Sequence, residues 1–279
     1  MPGPNHIRKI ITTYNEVDPL LSNTTARHFY YNKLVVANGG IENFHTFYGV
    51  SLATFKTAIN TVFDSLNSTG LTAKIKRWTP RIGSIAATQR LNAISEATTY
   101  DGTFTGGVTF TTAGSVYNGT TGYENTGFLQ TAFGTNTTNL GLSFNLVANN
   151  FSGLMTVMGV YVNGTFTEVR HDGGNLYNYV GLPDFMDTTL VANNFFSYNR
   201  INTTNTTYKN GISVNNNSGF GTNTMGNYNM IIGAMNTDGV ISRYANITLR
   251  NEVFHEGLTS QECANLYTIF NNFDTALGR

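Results

Sequence analysis

The chain has 279 residues, 40% of them hydrophobic and 13% aromatic, but only 11% are charged, with 16 basic and 16 acidic side chains in balance. Soluble domains carry about 25% charged residues, so this surface has to be polar without charge, and runs such as Asn202-Thr203-Thr204-Asn205-Thr206-Thr207 and Asn215-Asn216-Asn217-Ser218 supply that polarity. Zero net charge argues against a nucleic-acid binder, which needs a basic field. No apolar run approaches the roughly 20 residues that span a bilayer.

The N-terminus, Met1-Pro2-Gly3-Pro4-Asn5-His6, has no apolar core after a basic start, so export by a signal peptide is not expected. Thr25 to Val36 reads as a helix closed by Asn38-Gly39-Gly40. Ser51 is placed to cap a second helix, whose apolar positions Leu52, Phe55, Ile59, Val62, Phe63 and Leu66 fall on one face. Gly70 then offers a left-handed stop. Two shorter helical pieces are predicted at Thr72–Trp78 and Ala86–Ile94. Lys74, Lys76, Arg77 and Arg81, beside Trp78, read as a solvated helix face.

After Ser95 the texture changes to Thr, Val, Phe and Tyr alternating with Gly and Asn. Val160–Thr167 and Thr207–Val214 each place β-formers on both sides of Asn-Gly, the pair that best accepts a type I′ hairpin turn. Further strands are predicted at Val108–Thr111, Leu140–Leu146, Phe195–Asn199, Met230–Met235 and Arg243–Arg250. Short strands punctuated by turns every ten or so residues indicate an antiparallel sandwich. Thr259-Ser260-Gln261-Glu262 is a capping box opening a last helix, with Cys263, Tyr267, Phe270 and Phe273 on its apolar face. Cys263 reads as a small core hydrophobe; as the single cysteine it forms no intrachain disulfide. The expected fold class is therefore mainly β, a concanavalin A-like antiparallel β-sandwich (jelly roll) over residues 96–279. A small helical segment over residues 1–95 precedes it and a C-terminal helix closes it.

Few residues invite chemistry. Glucanases on this kind of sandwich need paired carboxylates on one strand, one to attack and one to protonate, and no Glu-X-Asp-X-X-Glu spacing occurs. Glu252 and Glu256 flank His255 in what reads as a solvated loop, and His171-Asp172 before Gly173-Gly174 reads as a turn. No cofactor motif is present. Calcium at a loop rim is left open, with Asp172, Asp184, Asp187 and Asp238 as loop carboxylates lacking a diagnostic spacing. Sugars are held by aromatic faces and by amide and hydroxyl groups, and Tyr117, Tyr123, Tyr177, Tyr179 and Tyr198 are the predicted glycan contacts.

The chain resembles a family of structural proteins of bacterial viruses, common in viruses of Bacteroidetes, in which a helical lead-in precedes a concanavalin A-like (laminin-G-like) domain. The similarity lies in the Ser51 helix with Leu66-Asn67-Ser68-Thr69-Gly70-Leu71 and Ile75-Lys76-Arg77-Trp78, and in Gly106-Gly107-Val108-Thr109-Phe110 through Asn118-Gly119-Thr120-Thr121-Gly122-Tyr123. It continues in Tyr208-Lys209-Asn210-Gly211 and in the ending from Gly257-Leu258-Thr259-Ser260-Gln261-Glu262 to Thr275-Ala276-Leu277-Gly278-Arg279. It runs from about Val35 to the C-terminus and is weakest over Phe128–Asp187. The resemblance implies a non-enzymatic virion component (spike, fibre, tail or capsid decoration) made in the host bacterial cytoplasm. Its N-terminal segment would bind other virion proteins or sister copies in a homo-oligomer, and its sandwich would meet host surface polysaccharide. The alternatives are a secreted or cell-surface bacterial carbohydrate-binding module and a glycan hydrolase.

Overall fold

A computed structural model describes residues 25–39, 50–95, 99–173, 175–180, 186–189 and 192–279. Four α-helices are present among them: α1 (Thr25–Ala37), α2 (Leu52–Ser68), α3 (Ala86–Gln89) and α4 (Ser260–Ala276). The helix starts follow the capping chemistry of the sequence. Ser51 accepts from the Thr54 amide, and Thr259 and Glu262 complete a reciprocal capping box. Each bond satisfies an amide that a helix start leaves open.

The strands form two sheets, with the concanavalin A-like layering expected from the sequence. Sheet A runs β13 (Ile212–Asn217), β12 (Thr204–Lys209), β11 (Asn194–Ile201), β6 (Asn139–Asn149), β17 (Asn246–His255), β4 (Gly114–Asn118) and β3 (Val108–Thr111). Sheet B runs β10 (Met186–Thr189), β9 (Asn175–Val180), β8 (Thr165–Asp172), β7 (Met155–Val162), β14 (Asn229–Ile232), β5 (Tyr123–Leu129) and β2 (Thr103–Thr105). The short hairpin β15 (Met235–Thr237) and β16 (Val240–Ser242) joins sheet B through a parallel pairing of β15 with β7. Both predicted Asn-Gly hairpins form, with Asn163 and Gly164 at φ 48° and 87° and Asn210 and Gly211 at 52° and 77°. Positive φ at both central residues is what a type I′ turn requires.

The predicted helix at Thr72–Trp78 is instead a 3-10 turn (Leu71–Ala73) followed by strand β1 (Ile75–Thr79), which pairs antiparallel with the second half of β17. The first half of β17 pairs with β4 on the same side, so β1 continues β4's lane in sheet A. Tertiary pairing overrides weak local propensity here. The predicted helix at Ala86–Ile94 shrinks to the single turn of α3.

The molecule has three layers. One core lies between the sheets, with Leu142, Phe144, Phe196, Phe254, Met158, Val160 and Val169 among its members. A second core lies between the outer face of sheet A and the helices, joining Phe195, Tyr208 and Val253 to side chains of α1, α2 and α4. Trp78 on β1 is its hub, with ring centroids 4.9 Å from Phe270, 5.6 Å from Phe273 and 5.8 Å from Phe63. β1, which precedes residue 95, thus belongs to sheet A, and residues on both sides of that position share the second core.

Candidate functional site

Helices cover the outer face of sheet A, which directs attention to the outer face of sheet B and the strand-end loops. Side chains on β9 alternate. Leu176 and Val180 enter the core while Tyr177 and Tyr179 face outward. On that face Tyr161 and Phe166, directly opposite across the β7–β8 hairpin, have ring centroids 4.3 Å apart. Phe166 is 5.3 Å from Tyr179, which is 6.4 Å from Tyr177. The Arg170 guanidinium lies over both tyrosines, 4.3 Å from the Tyr179 centroid and 5.3 Å from that of Tyr177. These rings form a strip, and Tyr161, Phe166 and Tyr177 remain partly exposed. Cation–π contact fixes the strip's far end.

The strip adjoins a pocket at the sandwich rim, since Val162 and Thr165, the chain neighbours of Tyr161 and Phe166, line it. The Asn163-Gly164 turn forms one wall and the Thr222–Gly226 loop the other, enclosing about 480 Å³. That volume lies within the usual range for small-molecule sites, roughly 300–1,000 Å³. The walls are tied together: Thr165 Oγ1 donates to the Thr224 carbonyl at 3.1 Å, and the Gly226 amide donates to Gln130 Oε1 at 2.7 Å. Gln130, buried beneath, also donates to Thr167 Oγ1 at 2.9 Å.

Of the five predicted tyrosines, Tyr117 and Tyr198 are fully buried between the sheets and offer no ring face to a ligand. Tyr179 is 3% exposed and serves as the strip's underlay. Tyr177 is partly exposed on the strip, while Tyr123 is half-buried on β5 with its ring 6.3 Å from Tyr244, away from both features. The predicted five do not come together. Tyr161 and Phe166 were missed, although counting by twos outward from Asn163-Gly164 puts them opposite each other on one face.

Arg77, Arg81, Glu252, His255 and Cys263, singled out in the sequence, are buried, whereas Lys74, Lys76 and Glu256 stay partly exposed. Arg77 and Arg81 are not on a solvated helix; both are 0% exposed. Arg77 Nη2 meets Glu124 Oε1 at 2.6 Å, Arg81 Nη2 pairs with Glu124 Oε2, and Arg81 Nε meets Glu252 Oε2 at 2.7 Å. Arg81 also donates to the Gln89 carbonyl at 2.7 Å and Arg77 to that of Tyr100 at 3.0 Å. Burial drives Glu252 above the usual carboxylate range and Arg77 below the usual guanidinium range. His255 and Glu252 lie on β17, not in a loop. His255 Nε2 sits 2.7 Å from Ser143 Oγ, which is hydrogen-bonded to Ser197 at 2.7 Å, while Nδ1 lies 2.7 Å from the Glu256 carbonyl. Burial lowers its pKa to about 4. Cys263, buried on α4 beside Ser197, is pushed up to about 12, as a core thiol should be. His171 is at the end of β8, not in a turn, and stacks on Phe151 with centroids 4.5 Å apart.

Among the described residues no group of three or more His, Cys, Asp or Glu is placed to hold a metal ion, and no helix is long and apolar enough to cross a membrane. Of the four loop aspartates raised for calcium, Asp184 lies outside the described residues, Asp172 and Asp187 fall on strands, and Asp238 accepts from the Asn163 amide at 3.4 Å.

No protein-family model and no curated protein matches the chain. Solved structures do. Botulinum neurotoxin type C, whose cell entry is described as dependent upon interaction with two ganglioside molecules, aligns with TM-score 0.52 and 10% identity over 74% of this chain and 53% of its own. The sialidase of Trypanosoma rangeli, in complex with 2,3-difluorosialic acid, aligns with TM-score 0.50 and 13% identity over 76% of this chain and 38% of its own. Domain 4 of an extracellular arabinanase from Geobacillus stearothermophilus, in complex with arabinotriose, aligns with TM-score 0.49 and 14% identity over 69% of this chain and 98% of its own. The chain thus spans about half of the toxin chain and well under half of the sialidase. At these identities the likeness is one of fold.

Proposed function

We propose that this chain is a non-enzymatic, lectin-like display module of a virion that binds surface glycan through the outer side of sheet B. The observation that carries the reading is the division of faces. Three helices bury one side of the sandwich, and the other side carries the Tyr161–Phe166–Tyr177 strip beside a rim pocket walled by amides and hydroxyls. Aromatic faces stack on apolar sugar patches and neutral polar groups bond the hydroxyls. The toxin and the sialidase, which share the fold, are described with gangliosides and a sialic acid derivative, which supports a sugar as the ligand. A binding rather than hydrolytic role is supported by the sealing of Glu124 and Glu252, which meet arginines and have no exposed surface from which to reach a glycosidic bond. The virion setting rests on the sequence resemblance, with the helical layer as the side turned to the particle.

The test is titration of the full chain against bacterial surface polysaccharides, with assay for newly released reducing ends. Binding without release is expected, and Tyr161→Ala should weaken it about tenfold, the scale of one lost stacking contact. Polysaccharide cleavage would overturn the non-enzymatic assignment. Absence of the chain from purified particles would favour a bacterial carbohydrate-binding module instead.

A further inference from the structure

Resting on the glycan reading above, we infer that the rim pocket is the primary sugar subsite, that it takes an uncharged sugar unit, and that Tyr228 is its stacking platform. Among the described residues the pocket wall contains Asn163, Thr165, Thr222, Asn223 and Thr224 and no charged side chain. The nearest carboxylate the bonding identifies is Asp238, whose Oδ1 accepts from the Asn163 backbone amide at 3.4 Å in the wall itself. An acidic sugar placed here would lose water, find no cation among the described wall residues to offset that loss, and face a like charge. A neutral hexose or N-acetylhexosamine meets the opposite situation, since each of its hydroxyl or amide groups matches an amide or hydroxyl in the wall.

The platform follows from the same loops. Tyr228 comes two residues after the pocket wall and is 38% exposed, an unusual state for a large ring among the described residues. It lies against Gly239, at φ +94°, where an added Cβ would stand 3.3 Å from the ring's Cε1. Gly239 follows Asp238, so the ring, the Asp238 turn and the Asn163 wall form one connected rim. Val240, 68% exposed at the start of β16 just after that turn, extends that apolar ground. The Asp238 turn is itself fixed to the strip: its amide donates to the Tyr161 carbonyl at 3.0 Å. A chain of sugars can therefore run from the pocket toward Tyr161 and Phe166.

The experiment is calorimetric titration of the full chain with neutral trisaccharides of glucose, galactose, mannose and N-acetylglucosamine, and with sialyllactose and trigalacturonic acid. At least one neutral trisaccharide should bind, with affinity changing less than about twofold between low salt and about 0.5 M salt, because no ion pair is screened. Tyr228→Ala and Asn223→Ala should each weaken it about tenfold without moving the melting temperature, whereas Tyr228→Phe should retain binding. Binding of the acidic sugars alone, weakened by salt, would overturn the ligand class and leave the glycan reading standing. Neutral-sugar binding untouched by Tyr228→Ala and Asn223→Ala but lost in Tyr161→Ala would overturn the pocket and leave the strip as the site. Failure of every sugar of both classes, with intact particles also failing to bind polysaccharide, would remove the glycan reading and this inference together.

Discussion

The seam where β1 joins the sandwich and the outer side of sheet B handle polarity in opposite ways. The seam buries two guanidinium and two carboxylate groups at 0% exposure, joined by short ion pairs, in a protein with few charges to spend. The rim of sheet B, which meets solvent, is lined by neutral amides and hydroxyls. Buried charges hold geometry because each loses far more if its partner moves than a neutral pair does. Neutral rim groups leave a surface able to exchange water for sugar hydroxyls at little cost. The contrast teaches that formal charge here serves assembly of the layers, and uncharged polarity serves contact with the outside.

The largest effect should come from breaking the seam. Arg81 pairs with both Glu124 and Glu252, so Arg81→Ala leaves Glu252 without its arginine and Glu124 with Arg77 alone, and should cost about 3–5 kcal/mol. Chemical denaturation of the purified variant measures it; a loss below about 1 kcal/mol would mean the seam tolerates an unpaired charge.

The His255 site gives a smaller, pH-dependent effect of fixed sign. Its pKa falls from an ordinary 6.5 to about 4 in the fold, so on acidification the unfolded chain takes up the proton first. The contribution of the neutral histidine is complete above pH 6.5, declines as pH falls toward 4, and is flat below. Integrated over that window it amounts to about 3 kcal/mol. Subtracting the stability profile of His255→Gln from that of the parent isolates this histidine from Glu252, whose raised pKa acts with the opposite sign. A flat difference across the window would show that His255 is not buried in its neutral form.

The smallest effect belongs to the residue next to Arg77 on the same strand. Lys76 pairs with Glu256 at 2.5 Å, but both side chains are about one-third exposed. Lys76→Ala should change stability by less than about 1 kcal/mol, as surface pairs do. If it matched Arg81→Ala in thermal or chemical unfolding, burial would not be the variable that separates the two.

Local chemistry explains which elements could be read ahead. The Ser51 and Thr259 caps, the α2 stripe and both Asn-Gly hairpins were visible because each depends on residues within about four positions of one another. Strand β1 was misread because Lys74 to Trp78 has no decisive local preference. It is a strand because β17 offers open backbone beyond β4 and because Trp78 fits the pocket made by Phe63, Phe270 and Phe273. Glu252 and His255 looked solvated for the same reason: nothing near them in sequence announces Arg81, 171 positions away, or Ser143, 112 away.

The tyrosines divide along the same line. Sequence alone determined that this protein would be a low-charge sandwich with many tyrosines and asparagines, since composition and period-two alternation are properties of the chain itself. Which tyrosines keep a wet face was decided only when two sheets and a helical layer closed. Tyr117 and Tyr198 sit on strands as regular as that of Tyr161, yet the first two point between the sheets and the third points outward. A strand fixes alternation but not which of its two faces becomes the interior, and that choice belongs to the packing of whole layers.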